Sequence, residues 1–219
     1  MQHKLYTMTK PLILVTNDDG ITAPGLRALI GFMMELGEVV VVAPDSPQSG
    51  MGHAITIDNT LYIKKIKVDL ENGATEEYSC SGTPADCVKL GLQELLKRKP
   101  DLCVSGINHG SNSSINVIYS GTMSAAIEAG IEGIPANFEA SKEAVQKIVR
   151  EALSNGIPNG VVLNVNIPKT DNKAPKGIKI CRQARANWKE KFDKRTNPSG
   201  KEYYWLTGEF ELLDKGEDT

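Results

Sequence analysis

The apolar pattern begins with Leu12-Ile13-Leu14-Val15-Thr16, a run too short for a helix, and stops at Asn17-Asp18-Asp19-Gly20. Such a run, bounded by turn residues, predicts a strand buried on both faces, as in a parallel sheet. From Pro24 the period changes: Leu26, Leu29, Ile30, Met33 and Leu36 recur at helical spacing, with Pro at the helix start and Gly37 at its end. The β-branched run Glu38-Val39-Val40-Val41-Val42-Ala43 predicts a second buried strand. Strand, helix and strand in this order form a right-handed parallel unit, so Asp18/Asp19 and Pro44-Asp45 should open on one edge of the sheet.

Between Ile55 and Tyr78 apolar positions alternate loosely around Asn72-Gly73, which predicts short antiparallel strands inserted into the unit. Thr83 and Pro84 read as N-cap and first residue of a helix carrying the stripe Cys87, Val88, Leu90, Gly91 and Leu95. The basic cluster Lys97-Arg98-Lys99 suits a helix C-terminus. Asp101 to Gly106 predicts another buried strand. Ser120-Gly121-Thr122 leads into an Ala-rich helix, with Thr122 as the expected cap. After Ile134-Pro135-Ala136 no strand is expected, because Asn137-Phe138-Glu139 is followed by a helix through Leu153; Val161 to Pro168 is a later strand. The fold class is α/β, a mostly parallel sheet flanked by helices, over 11–168. Aromatic residues gather beyond Lys169, at Trp188, Phe192, Tyr203, Tyr204, Trp205 and Phe210. The extension 169–219 should therefore pack on a neighbouring surface or subunit.

Composition narrows the function. A chain of 219 residues with 40% hydrophobic content buries a substantial core. Its net charge of −2 gives no basic field for nucleic acid, so small-molecule partners are expected. Cys80, Cys87, Cys103 and Cys181 form no C-x-x-C pair and read as reduced core residues of a cytoplasmic protein. Nothing resembles a signal peptide or a membrane span. The phosphate loop G-x-x-x-x-G-K-[ST], the dinucleotide motif G-x-G-x-x-G after the first strand and the G-x-S-x-G elbow are all missing from the sequence.

The candidate chemistry lies at the shared strand edge. Adjacent strand residues point to opposite faces, so Asp18 and Asp19 reach one ion only if the chain turns there, which Gly20 permits. The Ser46 to His53 loop, Asn108 and the Ser120-Gly121-Thr122 turn belong to the same edge. These oxygen donors suit Mg²⁺, Mn²⁺ or Ca²⁺, and three histidines without C-x-x-C make zinc a poor fit. Free N–H groups at the helix start suit phosphate. Together they predict hydrolysis of a phosphate ester by metal-activated water, which Asp18 or Asp19 orients or deprotonates. Three other readings compete with this one: a plain polar turn, a phospho-receiver module and a non-catalytic nucleotide-binding protein.

Five segments, Asn17-Asp18-Asp19-Gly20, Ala43-Pro44-Asp45 with Gln48-Ser49-Gly50, Gly82-Thr83-Pro84-Ala85-Asp86-Cys87, Ser105-Gly106-Ile107-Asn108-His109-Gly110 and Tyr119-Ser120-Gly121-Thr122, together resemble the SurE family. The resemblance implies a metal-dependent 5′-nucleotidase, with 3′-nucleotides and short polyphosphate as further substrates in some members. It implies one Mg²⁺ or Mn²⁺ per subunit, or Ca²⁺ in the same place, held by Asp18, Asp19, Ser49 and Asn108. Phosphate contacts are implied for Asn108, Ser120, Gly121 and Thr122. The fold implied is Rossmann-like, with a C-terminal hairpin exchanged between subunits of a homodimer or homotetramer. His109 is a candidate proton donor to the leaving alkoxide. The chain departs from the family pattern between Ala136 and Asn137, where a strand and loop are missing, and in ending at Thr219.

Overall fold

The computed structural model describes residues 10–66, 76–108, 114–132, 134, 136–139, 142–167, 176–214 and 216. β1 (Leu12–Thr16) is buried along its whole length, as its unbroken apolar run requires. α1 (Pro24–Met34) begins at its proline and buries Leu26, Leu29, Ile30 and Met33. β2 (Glu38–Pro44) pairs parallel with β1, so both strands do end on one edge.

The region between Ile55 and Tyr78 departs from expectation in one respect. β3 (Ile63–Ile66) is antiparallel to β4 (Glu76–Cys80), but β4 is itself parallel to β2 and belongs to the main sheet. Its Glu76-Glu77-Tyr78-Ser79-Cys80 sequence hides this, because Glu77 is buried and paired with Arg27. Asn72-Gly73 lies outside the described residues.

α2 (Pro84–Leu90) has Thr83 as N-cap in a full capping box with Asp86 and continues into a π-helical turn over Gly91–Leu95. β5 (Leu102–Gly106) lies on the other side of β1, parallel to it. α3 (Gly121–Ile131) is capped by Ser120, whose hydroxyl accepts from the Met123 amide at 3.1 Å. Thr122, the expected cap, is turned elsewhere.

A strand does follow Pro135. β6 (Ala136–Glu139) pairs parallel with β5 and with β7 (Val162–Asn164). Four residues between two neighbours are held by backbone hydrogen bonds and need no apolar run, which is why the sequence pattern misses it. α4 (Lys142–Asn155) buries Val145, Val149 and Ala152 against α1's side of the sheet.

The sheet order is β3-β4-β2-β1-β5-β6-β7. Leaving aside antiparallel β3, this is the doubly wound order, with the chain reversing direction across the sheet between β1 and β5. One face packs Ile13, Val15, Val41 and Val104 under α1 and α4; the other packs Leu14, Val42 and Cys103 under α2 and α3. Cys80, Cys87 and Cys103 are buried free thiols, but Cys181 is exposed and so is not a core residue.

One residue of the basic cluster reaches the C-terminal end of another helix. Lys99 Nζ donates to the Glu132 carbonyl at the end of α3 at 2.8 Å, and Arg98 pairs with Asp101. In the extension, β8 (Ala186–Thr196) and β9 (Glu202–Leu212) form an antiparallel two-stranded sheet apart from the main one. Phe192, Tyr204, Trp205, Leu206 and Phe210 stand exposed on it. Among the described residues no helix is long and apolar enough to cross a membrane.

Candidate active site

The end of β1 is shaped by Asn17. Its side-chain amide donates to the Gly20 carbonyl at 3.1 Å and its carbonyl oxygen accepts from the Gly20 amide at 3.2 Å. That buried ring fixes the turn, and Gly20 completes it at φ +98°, where a side chain would be strained. The outcome is that Asp18 and Asp19 leave β1 side by side and both line one cleft.

The cleft has a volume of about 460 Å³ and is lined by Asp18, Asp19, Ser49, Gly50, Asn108, Asn116, Tyr119 and Ser120. It sits at the carboxyl ends of β1 and β5, the switch point of the sheet. Of the residues expected from sequence, Asp18, Asp19, Ser49, Asn108 and Ser120 are brought together. Gly121 and Thr122 stand directly behind Asp18: a Cβ on Gly121 would come within 2.7 Å of the Asp18 Cβ, and the Thr122 hydroxyl donates to the Asp18 carboxylate. His109 lies outside the described residues. Gly50, Asn116 and Tyr119 also line the cleft, although the sequence assigns them no role there. Asn116 and Tyr119 lie in the 3-10 turn Ser114–Tyr119, and no local spacing signals that this turn folds over the cleft.

The Ser49 loop is tied to the acid pair by the backbone: the Gln48 amide donates to the Asp18 carbonyl at 2.7 Å. Asp18 is 2% exposed, whereas Asp19 is half-buried. Burial pushes the Asp18 carboxyl above the usual carboxylate range, the Thr122 hydrogen bond works against this, and the Asp19 charge adds to it. Two carboxylates forced together in this way have the electrostatic character of a cation site.

The donor set tests that idea. Two carboxylates, a hydroxyl and a carboxamide line one cleft, all hard oxygen donors of the kind that hold Mg²⁺, Mn²⁺ or Ca²⁺. Among the described residues no group of three or more His, Cys, Asp or Glu that could hold a metal is present, so a cation here would meet two charged ligands and draw the rest of its oxygens from neutral groups. The N-terminus of α3 opens on the same cleft through Ser120, so the positive end of a helix dipole faces the acid pair.

Sheet order and cleft together place the chain among the doubly wound α/β proteins that carry their ligand crevice beyond the strand ends. The family model described as Survival protein SurE matches residues 13–190, and the chain belongs to that family. It is 67% identical to the 5′-nucleotidase SurE of Flavobacterium psychrophilum over 97% of this chain and 86% of that protein. It is 65% identical to the 5′-nucleotidase SurE of Christiangramia forsetii over 96% of this chain and 85% of that protein. The crystal structure of the SurE protein from Aquifex aeolicus superposes with a TM-score of 0.75 at 40% identity, covering 95% of this chain and 87% of that one.

Proposed function

We propose that the protein is a divalent-metal-dependent 5′-nucleotidase that hydrolyses nucleoside monophosphates to nucleoside and phosphate. The single observation that carries this reading is the cleft in which Asp18 and Asp19 face Asn108 and the N-terminus of α3. Asp18, Asp19, Ser49 and Asn108 would hold one Mg²⁺ or Mn²⁺, and Ca²⁺ fits the same oxygens. When bound, the cation polarises the phosphoryl oxygens and lowers the pKa of a coordinated water.

The chain's own groups do the rest. Ser120, the Gly121 backbone and Asn108 receive the phosphoryl oxygens, where the helix dipole stabilises the charge that builds up during attack. Thr122 fixes the orientation of Asp18 from behind. Asp19, the more exposed acid, takes the proton of the attacking water. The names of the two bacterial relatives support the substrate class. A phospho-receiver is disfavoured because β4 ends in Cys80 and β5 in Gly106, with no acceptor Asp at the end of either. The exposed aromatic face of β8 and β9 supports an arm that joins subunits, as dimer or tetramer, with 11–168 as the catalytic unit. Three cysteines buried as free thiols support a reducing, cytoplasmic setting.

The test is a phosphate-release panel over 5′- and 3′-nucleotides and short polyphosphate, with Mg²⁺, Mn²⁺ or chelator. Release from 5′-monophosphates that chelator abolishes is the expected result. Nucleotide binding without release in the presence of either cation would overturn the proposal.

A further inference from the structure

Ser49 is held well on one side and sparsely on the other. Upstream, the Gln48 amide donates to Asp18 at 2.7 Å. Downstream a single turn, closed by the Met51 amide on the Gln48 carbonyl at 3.3 Å, carries the chain past Gly50 at φ +77° and on to Gly52 at φ +56°. The Gly52 amide makes a long bond of 3.3 Å to the Tyr119 carbonyl. The first side chain after Ser49 to be tied down is His53, whose Nε2 lies 2.7 Å from Glu128 Oε2. Ala54 and Thr56 are then fastened to Thr83 and Asp86 at the start of α2.

Glu128 lies two turns along α3 from the Ser120 to Thr122 start, and its side chain is 4% exposed. Burying a carboxylate costs several kcal/mol before any pairing, so an apolar residue would fill this helix position more cheaply. What the carboxylate provides instead is two fixed contacts, Lys89 of α2 on one oxygen and His53 on the other. The helix whose N-terminus faces the acid pair therefore also grips the loop that carries Ser49.

We infer that the His53–Glu128 pair is a positioning contact, which sets where the Ser49 hydroxyl stands opposite Asp18 and Asp19 and so tunes the affinity of the site for its cation. The inference rests on the proposed role of Ser49 as a ligand. It assigns a function to a loop histidine and a buried glutamate that are both outside the cleft lining.

The experiment measures Mn²⁺ binding to the chelator-stripped full chain, without nucleotide, by calorimetry and by the electron paramagnetic resonance signal of free Mn²⁺. Thermal melting is followed alongside. His53→Ala is expected to weaken Mn²⁺ binding roughly tenfold, the scale of lost outer-shell support. His53→Gln, whose side-chain amide still donates to Glu128, should recover binding to within about twofold of the parent. In a Ser49→Ala background, His53→Ala should cause no further loss. If His53→Ala leaves binding intact while Ser49→Ala weakens it, the positioning role fails and the cation site stands. An equal loss in both backgrounds also overturns the role, because the effect then bypasses Ser49. If the parent binds no Mn²⁺, or Ser49→Ala binds like the parent, Ser49 is not a ligand and the inference falls with that assignment. Should His53→Ala not fold, His53→Asn, whose amide is too short to reach Glu128, takes its place in every arm.

Discussion

Thr122 on α3 donates its hydroxyl hydrogen bond to the carboxylate of Asp18, a residue 104 positions earlier in the chain. Burial holds the Asp18 carboxyl high, and this bond is the main influence pulling it down. Thr122→Val keeps the shape and removes the donor, so the carboxyl should rise further. A group that must be ionised and titrates higher loses its active form first at low pH. The acid limb of the kcat/KM profile, measured at Mn²⁺ well below saturation, should therefore move to higher pH, with little change on the alkaline side. An unmoved acid limb would show that Asp18 does not govern it.

Asp18 also sets function against stability. A carboxyl whose pKa is raised on folding binds its proton more tightly in the folded state. In cation-free protein this site therefore adds stability as pH falls through the folded pKa and costs stability above it. Asp18→Asn removes that cost. The cation-free variant should melt at or above the parent temperature at pH 7, while the rise in Tm that Mn²⁺ gives the parent should vanish. Asp19→Asn should likewise abolish turnover and leave the far-ultraviolet circular dichroism unchanged.

Gly121 has no room for a side chain. An added Cβ would lie 2.7 Å from Asp18 Cβ and 3.1 Å from its Oδ2, so Asp18 or the helix start must move. Gly121→Ala is expected to cost about 1–3 kcal/mol of stability by overpacking, and activity more than tenfold because the displaced group is at the reaction centre. Chemical denaturation beside a phosphate-release assay separates the two losses.

Asp86 should shape the acid side of the stability curve. Burial alone would raise its carboxyl, but the Thr56 hydroxyl and the amides of Thr83 and Thr56 outweigh it and leave it below the usual range. The stability it contributes is present above the unfolded pKa near 3.8 and is lost as pH falls through the folded value. Asp86→Ala removes the capping box and the Thr56 anchor, at a cost of about 1–3 kcal/mol at pH 7. The difference between variant and parent should shrink as the pH is lowered below the carboxylate range. Urea titrations at several pH values measure it.

Glu77 is fully buried in β4 and meets Arg27 Nη1 at 2.7 Å. Removing only Arg27 takes a 2.7 Å charged contact from a buried carboxylate, so Arg27→Ala should cost up to about 3–5 kcal/mol. The double replacement Arg27→Met with Glu77→Leu should regain most of that in the same denaturation experiment. If the double variant is no better than the single one, the pair is worth more than an apolar filling.

Much of this molecule can be read from residue order because the signals are local. Leu12 to Thr16 and Glu38 to Ala43 could be little but buried strands, and Pro24, Thr83 and Pro84 mark helix starts by their own stereochemistry. The acid pair, the Ser49 loop and the Ser120 turn were legible because each stands where an apolar run breaks. What was hidden depends on distant partners. β4 looks polar because Arg27 neutralises Glu77 from another element, and β6 is held by neighbours on both sides. Thr122 resembles a cap in sequence, but its hydroxyl partner, Asp18, lies in another element and Ser120 caps the helix instead. Tyr119 and Asn116 reach the cleft only through the packing of a turn that has no periodicity of its own.

The central place of β1 has a consequence for how the chain comes into being. Its β2 edge can be filled as soon as Val41 emerges, but its other edge waits for Leu102 and the residues after it. Until then a strand that is apolar from Leu12 to Val15 offers a bare row of amides and carbonyls to any passing extended peptide. The newborn N-terminal half is thus most exposed to mispairing while β5 is still being made, and slowing translation just before Leu102 should lengthen that hazard.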